Sequence, residues 1–235
     1  MFFSGTVLNA ATVLAGGMLG TFLGDRLPER IRENVIHGVG LFTIAMGLRF
    51  AFETSNLLFL LGSILLGGII GSLASLDARL TALGDRLQRR YGGGGGTLSE
   101  AFVTSTIVFC VGPLTFLGSI QNGLTGDASL LIIKSVLDGF TAIALAATLG
   151  WGVLLSVVVI LVYQGGLAAG ATALSGALSE MQLVEMSAVG GLLILGVGLK
   201  LLRIRDVRVA DYLPAVLIAP VLVAIVARVK EAFAL

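Results

Sequence analysis

The sequence predicts an all-α integral membrane protein with about eight transmembrane helices. Of its 235 residues, 56% are hydrophobic and 12% are charged, and the mean hydropathy is +1.02, which lies outside the range of ordinary soluble domains. Runs such as 58–75 and 154–173 are apolar over nearly their whole length. Strands of outer-membrane barrels alternate between lipid-facing and lumen-facing residues, so these runs indicate helices.

Hydropathy and helix breakers divide the chain into eight apolar spans of about the 20 residues that a bilayer requires. The spans are 5–24, 34–52, 57–75, 100–119, 129–149, 151–173, 186–203 and 211–229. Only Gly150-Trp151-Gly152 separates the fifth span from the sixth, and an unbroken helix over both would be about 65 Å long, so we expect a turn there. The first span follows no basic leader, and we interpret it as a transmembrane helix rather than a secretory signal.

The distribution of lysine and arginine predicts the orientation in the membrane. Basic residues concentrate in the connections after spans one, three and seven: Arg26, Arg30, Arg32, Arg79, Arg86, Arg89, Arg90, Arg203, Arg205 and Arg208. The opposite connections, 52–56, 121–129 and 175–185, contain none. With eight spans all the basic connections lie on one face, which is predicted to be cytoplasmic, and both termini lie outside. Seven spans would put the third basic connection on the wrong side.

The longest connection, 77–99, contains an amphipathic stretch and a glycine run. The leucines Leu80, Leu83 and Leu87 recur at helical spacing, so we expect a short helix on the cytoplasmic surface. The run Gly92–Gly96 is predicted to be a flexible tether. The segment is open to two interpretations, a plain linker or a regulatory element.

Glycine and basic residues recur at matching intervals in two parts of the chain. The intervals are 4, 20, 7 and 2 over Gly16, Gly20, Gly40, Gly47 and Arg49, and 4, 21, 7 and 2 over Gly166, Gly170, Gly191, Gly198 and Lys200. The shift of five spans predicts an inverted three-helix repeat, about 5–76 and 151–229, joined by two central helices within 100–149, as in many secondary transporters. Alternatively, the small residues, which also include Gly24, Gly67 and Gly71, serve close helix packing.

Span four contains Gly112-Pro113 at its centre, where proline removes a backbone hydrogen bond. We expect either a simple kink or a functional discontinuity, which at membrane depth is tolerated only beside protein or a wet cavity. Thr104 precedes this point, and Gln121 and Asn122 follow it. Their oxygens are suited to a partly dehydrated cation, or they serve helix packing and an outer turn.

Span five carries two opposite charges in the stretch LIIKSVLDGF. Lys134 and Asp138 are four residues apart, share a helix face with Thr141, and are accompanied by Ser135. Asp138 is predicted about 14 Å from the outer end, near the bilayer centre, where ionisable residues usually pair and mark ion or substrate pathways. The alternative is a neutralised pair that fixes helix packing. The other polar residues within spans are few, and we expect most of them, including Asn9, to join helices. Gln164 in span six is also a candidate ligand.

The blocks GPLTFLGSIQNGLTGD and LIIKSVLDGF, with the first span GTVLNAATVLAGGMLG, resemble a prokaryotic membrane family called domain of unknown function 554. The resemblance covers essentially the whole chain, and the block over spans four and five is its most specific part. It implies a bacterial or archaeal multi-pass membrane protein without an agreed activity. It assigns no catalytic or binding residue.

These features together predict a transporter or channel for a small ion or polar solute in the prokaryotic inner membrane. The candidate ion- or substrate-binding residues are Asp138, Lys134, Ser135, Thr104, Gln121, Asn122 and Gln164. The alternative is a non-transporting scaffold or sensor subunit with a structural ion pair. No nucleophile with a base, metal-ligand spacing, phosphate loop or nucleic-acid patch occurs, and the single cysteine, Cys110, is expected to pack in the core. We therefore expect no enzyme activity, cofactor, metal or nucleic-acid partner; the bilayer, the solute and a second copy of the chain are the expected partners.

Overall fold

The protein is described here by a computed structural model, which covers residues 3–24, 26, 28–91, 98–110, 113–174 and 178–233. Within these residues the regular structure is entirely helical, which confirms the predicted all-α class. The α-helices are α1 (Ser4–Gly24), α2 (Glu29–Ala51), α3 (Leu57–Leu73), α4 (Leu76–Tyr91), α5 (Leu98–Cys110), α6 (Pro113–Thr125), α7 (Ser129–Leu149), α8 (Ser156–Ala169), α9 (Ala171–Leu174), α10 (Glu180–Leu201) and α11 (Leu213–Phe233). Two short 3-10 helices, Trp151–Leu155 and Val209–Tyr212, precede α8 and α11.

The described part of the chain contains six to eight candidate membrane crossings, and the predicted eight is the upper value. In the described part of the chain six helices are long and apolar enough to cross a bilayer singly, and two bent helix pairs bring the number to eight. One pair joins α3 to the start of α4 with a bend of 54°. The other joins α5 to α6 with a bend of 73°. The helix α4 is the amphipathic helix predicted after span three, whereas the tether Gly92–Gly96 lies outside the described residues.

The direction of α7 relative to α1 supports counting α5 and α6 as one crossing. Gly5 contacts Leu131 near one end of the two helices, and Gly24 contacts Ala147 near the other, so α1 and α7 run parallel. Two helices run parallel across a membrane when an odd number of crossings separates them. The three crossings between them are α2, α3 and the α5–α6 pair.

The turn predicted between spans five and six is present. The helix α7 ends at Leu149, and Gly150 follows with a φ of 86°. This left-handed conformation costs glycine little because glycine has no Cβ. The chain then reverses through the 3-10 helix that begins at Trp151.

Hydrogen bonds join the connections at each end of the bundle. We call the end formed by 26, 28, 74–75 and 202–208 the basic face, and the end formed by 52–56, 126–128 and 178–179 the non-basic face. At the basic face, the buried Asp211 accepts a hydrogen bond from the Asp77 backbone N–H at 2.9 Å. At the non-basic face, the fully buried Glu185 of α10 accepts hydrogen bonds from the connection between α2 and α3.

Close helix packing explains several of the glycines that define the apparent repeat. The antiparallel pair α2 and α10 meets through Gly47 against Gly191 and Gly40 against Gly198. The packing interpretation concerns the glycines at four-residue spacing, and it is confirmed for Gly16, Gly20, Gly24, Gly67 and Gly71, where an added Cβ would collide with the backbone of a neighbouring element. At Gly166 an added Cβ would meet nothing within 4 Å among the described residues. The inverted repeat remains a prediction.

Candidate functional site

The centre of the candidate site is an ion pair on α7. Lys134 and Asp138 lie one turn apart and are joined directly, Nζ to Oδ2. Both residues are almost completely buried, with 5% and 7% of their surface exposed. Asp138 is nine residues beyond the start of α7, which places it about 14 Å from the non-basic end of this helix. The charges therefore lie close to the centre of a bilayer-sized span.

Asn9 of α1 completes the immediate surroundings of the carboxylate. Its side-chain Nδ2 donates a hydrogen bond to Asp138 Oδ2 at 3.1 Å. An ionised carboxylate only accepts hydrogen bonds, so the amide nitrogen of Asn9 must face Asp138 and its Oδ1 must face away. That oxygen is buried and has no hydrogen-bond partner among the described residues.

Glycines bring α1 close enough to α7 for this contact. A Cβ added at Gly16, Gly20 or Gly24 would collide with backbone carbonyl groups of α7. Asn9 precedes Gly16 by seven residues, which is about two helical turns, so it lies on the same face of α1. The glycine stripe therefore positions the asparagine against the aspartate.

A cavity of about 90 Å³ lies beside the ion pair. It is large enough for a few water molecules or for one small ion with part of its hydration shell. Lys134 and Asp138 line it together with side chains from α2, α5, α6, α7 and α10: Phe42, Thr43, Met46, Phe50, Val108, Leu114, Thr115, Leu137, Thr141 and Ile194. The wall of the cavity is thus largely apolar, and Lys134 and Asp138 are its only charged side chains among the described lining residues.

The interruption between α5 and α6 lies against this cavity. In a continuous helix the residue at 113 would donate its backbone N–H to the carbonyl of Phe109, but proline has no N–H. Thr115 Oγ1 donates a hydrogen bond to that carbonyl at 3.2 Å instead. The helix axes diverge by 73° across the interruption, so the expected departure from a straight helix is present, while Gly112 itself lies outside the described residues.

The remaining candidate ligands are distributed over several environments. Ser135 Oγ donates to the Leu131 carbonyl of its own helix at 2.6 Å, and Thr104 is buried on α5. Gln121 donates to Asp127 at 2.6 Å. Asn122 accepts from the Gly5 backbone N–H at 3.2 Å. The contact of Gln121 is that of an outer turn, whereas the buried Asn122 joins α6 to the start of α1. The role of both residues as ion ligands remains a prediction.

The turn at the non-basic face also contains a stabilised carboxylate. Asp127 accepts hydrogen bonds from the hydroxyl and the backbone N–H of Ser129, at 2.5 and 2.9 Å. The hydroxyl hydrogen bond from Ser129 is the main cause that lowers the pKa of Asp127 below its ordinary value. This carboxylate therefore stays ionised at the surface, where it fixes the start of α7.

Gln164 of α8 differs from the other candidates. It is fully buried, and neither its Oε1 nor its Nε2 has a hydrogen-bond partner in the described part of the chain. The described residues contain no group of three His, Cys, Asp or Glu side chains placed to hold a metal ion.

Two residues with clear roles were not among the candidates from the sequence. The sequence predicts that Asn9 joins helices, and it places Glu185 in a connection. Asn9 was detectable in principle, because it shares the α1 face marked by Gly16, Gly20 and Gly24. Glu185 has no local signal, since its partners are 129 to 131 residues away in the chain.

Comparison with known protein families shows to which family the chain belongs. The family described as "Protein of unknown function (DUF554)" matches residues 4–224. The chain belongs to this family. The resemblance noted from GPLTFLGSIQNGLTGD and LIIKSVLDGF is thereby confirmed.

Two relatives cover nearly the full length of the chain. The uncharacterized membrane protein YdfK of Bacillus subtilis (strain 168) is 28% identical over 227 residues, which are 94% of this chain and 96% of YdfK. The uncharacterized protein YqgA of Escherichia coli (strain K12) is 34% identical over 220 residues, or 92% of this chain and 94% of YqgA. No solved structure matches the chain. The name of the relative YdfK and the apolar helices fit a multi-pass membrane protein.

Proposed function

We propose that this membrane protein transports or conducts a small ion or polar solute, with Lys134 and Asp138 as its intramembrane centre. The observation that carries the proposal is a buried ion pair at mid-membrane depth, beside a small cavity and an interrupted helix. Broken helices and paired charges near the midplane are the common elements of transporter sites. The proposal gives the protein no catalytic role.

The energetics favour a functional over a purely structural pair. An aspartate at the centre of a transmembrane helix costs about 2.5–3.5 kcal/mol on insertion scales. Replacing a buried ion pair by apolar residues of similar size is often neutral or stabilising. Packing alone therefore gives no reason to keep Lys134 and Asp138, whereas an exchangeable charge next to a cavity does.

A simple mechanism follows from the arrangement of the two charges. Lys134 is an internal cation that occupies the carboxylate of Asp138. A proton or a cation from the cavity competes with Lys134 for the same oxygens, and its arrival releases the lysine. The carboxylate thus alternates between an internal and an external partner, which is the requirement for reversible binding.

The proposed architecture is an inner-membrane protein with an inverted repeat, cytoplasmic basic connections, external termini and a capacity to form homo-oligomers. The reciprocal contacts Gly47–Gly191 and Gly40–Gly198 support the repeat. Under the proposed shift, Gly40 corresponds to Gly191 and Gly47 to Gly198, so the two contacts are equivalent. A two-fold axis between α2 and α10 produces such self-matching contacts.

The proposal is tested by Asp138→Asn in phosphatidylethanolamine/phosphatidylglycerol liposomes that contain pyranine as an internal pH indicator. A potassium gradient with valinomycin sets the membrane potential, and proton movement is recorded from the pyranine fluorescence with and without the protein; movement of another cation is recorded with an indicator for that cation. We expect Asp138→Asn to abolish the protein-dependent flux. The matched control is Asp206→Asn, because Asp206 also pairs with a lysine, Lys200 at 3.3 Å, but is exposed at the basic face.

A double variant distinguishes the transport proposal from the alternative of a non-transporting scaffold. Lys134→Met combined with Asp138→Leu removes both charges and keeps apolar bulk, so the helix bundle is expected to stay folded. A transport centre loses its flux in this variant. Flux of the wild-type protein that is equal to that of empty liposomes, or unchanged flux in Asp138→Asn, would refute the proposed function.

A further inference from the structure

Four buried side chains at the non-basic half of the bundle carry polar atoms without hydrogen-bond partners among the described residues. They are Thr6 and Asn9 of α1, Ser119 of α6 and Gln164 of α8. None of the four exposes more than 2% of its surface. A buried polar atom without a partner is unfavourable, and it usually marks a position for a ligand or water. We call these residues the amide–hydroxyl cluster.

Helix geometry brings Ser119 and Gln164 together. The helices α6 and α8 both run toward the non-basic face and are in contact, with Gly123 directly against the backbone of Ala168. Ser119 precedes Gly123 by four residues, and Gln164 precedes Ala168 by four. In parallel helices, residues one turn before a contact on each helix are neighbours. The hydroxyl and the amide therefore lie at the same depth, on facing surfaces.

The face of α1 that carries Thr6 and Asn9 points toward the same region. Thr6, Asn9 and Gly17 recur at intervals of three and eight residues, so they share one face of α1. Gly17 on this face packs against Leu154, just before α8. The helix α1 contacts both α6 and α8, and Thr6 and Asn9 lie about two to three turns from Gly17, in the non-basic half where Gln164 also lies.

The unpartnered atoms define what can bind. Asn9 Oδ1 and Gln164 Oε1 only accept hydrogen bonds, Gln164 Nε2 only donates, and the two hydroxyls can do either. A bare cation cannot accept the hydrogen bond that Gln164 Nε2 donates. An anion without a donor cannot bond Asn9 Oδ1 and Gln164 Oε1, which both need a donor. A neutral molecule with donors and acceptors, such as a small amide or polyol, satisfies all of these atoms.

We propose that the amide–hydroxyl cluster binds a small uncharged solute that both donates and accepts hydrogen bonds. This inference rests on the proposed transport function and names the solute class for it. Asn9 connects the two sites, because its nitrogen bonds Asp138 while its oxygen belongs to the cluster. A proton or cation that binds Asp138 Oδ2 competes with the hydrogen bond from Asn9 as well as with Lys134, so charge exchange at Asp138 lets Asn9 turn and changes the cluster.

The first test compares two alkylating reagents of similar size and different charge, iodoacetamide and iodoacetate. The thiol is supplied by Ser119→Cys in full-length protein in which the buried Cys110 has been replaced by Ala. We expect iodoacetamide to modify Ser119→Cys roughly tenfold faster than iodoacetate, after normalisation to the exposed control Thr125→Cys, and acetamide to slow the reaction. Equal normalised rates, absence of modification by both reagents, or lack of protection by acetamide would overturn the inference.

The second test uses Gln164→Leu in the same Ser119→Cys background. Leucine keeps the bulk of the side chain but removes its hydrogen-bonding atoms, so we expect modification by iodoacetamide to fall roughly tenfold. The midpoint of thermal unfolding is expected to rise, because an unpartnered buried amide is lost. The control is Tyr163→Phe, which removes a polar atom from the adjacent, partly exposed position of α8 and is expected to leave the modification rate unchanged. A lower midpoint for Gln164→Leu, or an unchanged rate, would show a structural role.

The inference and the proposed function fail in different measurements. If Asp138→Asn abolishes proton or cation flux while Ser119→Cys is not modified, only the neutral-solute site is refuted. If Ser119→Cys reacts as expected while Asp138→Asn keeps full flux, the charged centre is refuted and the solute site stands.

Discussion

Glu185 anchors the connection between α2 and α3, and its replacement by alanine is expected to destabilise the bundle. Its Oε2 accepts from Thr54 Oγ1 at 2.7 Å. Its Oε1 accepts from the hydroxyl and backbone N–H of Ser55, at 2.7 and 2.9 Å, and from the backbone N–H of Asn56 at 3.2 Å. Among the described residues, its hydrogen-bond partners are neutral donors, with no lysine or arginine in an ion pair with it.

The loss of stability in Glu185→Ala depends on whether each donor can form a new hydrogen bond with water. Hydrogen bonds to charged groups are worth about 1.5–3 kcal/mol each, but Ser55 and Asn56 are exposed and can turn to water. We therefore expect Glu185→Ala to cost about 2–4 kcal/mol in total, well below the sum of four separate bonds. For a protein of this size, that corresponds to a fall of roughly 5–15 °C in the unfolding midpoint.

Glu185→Gln separates the role of the acceptor from the role of the charge. The amide oxygen of glutamine can keep the two backbone N–H donors, and its nitrogen can donate to Thr54 Oγ1, so we expect a cost of about 1 kcal/mol or less. The assay is thermal unfolding in detergent micelles, followed by the fraction that elutes as a monodisperse peak. Glu180→Ala, an exposed change on the same helix, is the control. A glutamine variant as unstable as the alanine variant would show that the negative charge, rather than hydrogen-bond acceptance, holds the connection.

Two further predictions concern helix packing and a helix cap. Gly20→Leu is expected to prevent folding, since even a Cβ at this position collides with the Ile143 carbonyl. Gly166→Leu is expected to change the free energy of unfolding by less than about 0.5 kcal/mol, because its Cβ position is open. The yield of detergent-solubilised protein and the midpoint of thermal unfolding are measured for both variants. Asn56→Ala is expected to cost about 1 kcal/mol, because the Asn56 side chain caps α3 by accepting from the Leu58 backbone N–H at 2.9 Å. An unchanged midpoint would show that the cap is dispensable.

Local features of the sequence were sufficient for much of the fold. The eight apolar runs, the turn at Gly150 and the interruption before Pro113 each depend on residues within one or two helical turns, and the structure confirms the turn and the departure from a straight span. The same holds for Lys134 and Asp138, whose separation of four residues already places them together on a helix. Such features need no knowledge of which helices are neighbours.

Contacts between distant helices were not accessible in this way. Asn9 and Asp138 are separated by 129 residues, and helical periodicity does not say which face of α1 meets α7. The uniformly apolar spans add to the difficulty, because in a bilayer the lipid-facing side is as apolar as the buried side. Glycine is the one local marker of a helix face here, since close approach requires the absence of a side chain on the contacting side only.

The hydrogen bonds within the membrane spans show which types of polar residue best indicate a ligand site in a membrane-protein sequence. Several buried hydroxyls donate to a carbonyl three or four residues earlier, as those of Ser105, Ser135 and Thr148 do within their own helices and that of Ser156 does to the 3-10 helix before it. A serine or threonine within a span can therefore be satisfied locally. An asparagine or glutamine has a nitrogen donor and an oxygen acceptor, and a single helix carbonyl cannot satisfy both. Asn9 and Gln164 are consequently stronger indicators of a ligand than the more numerous hydroxyls. Asp138, the charged residue that contacts Asn9, is therefore the residue at which the proposed ion exchange and the proposed solute binding meet.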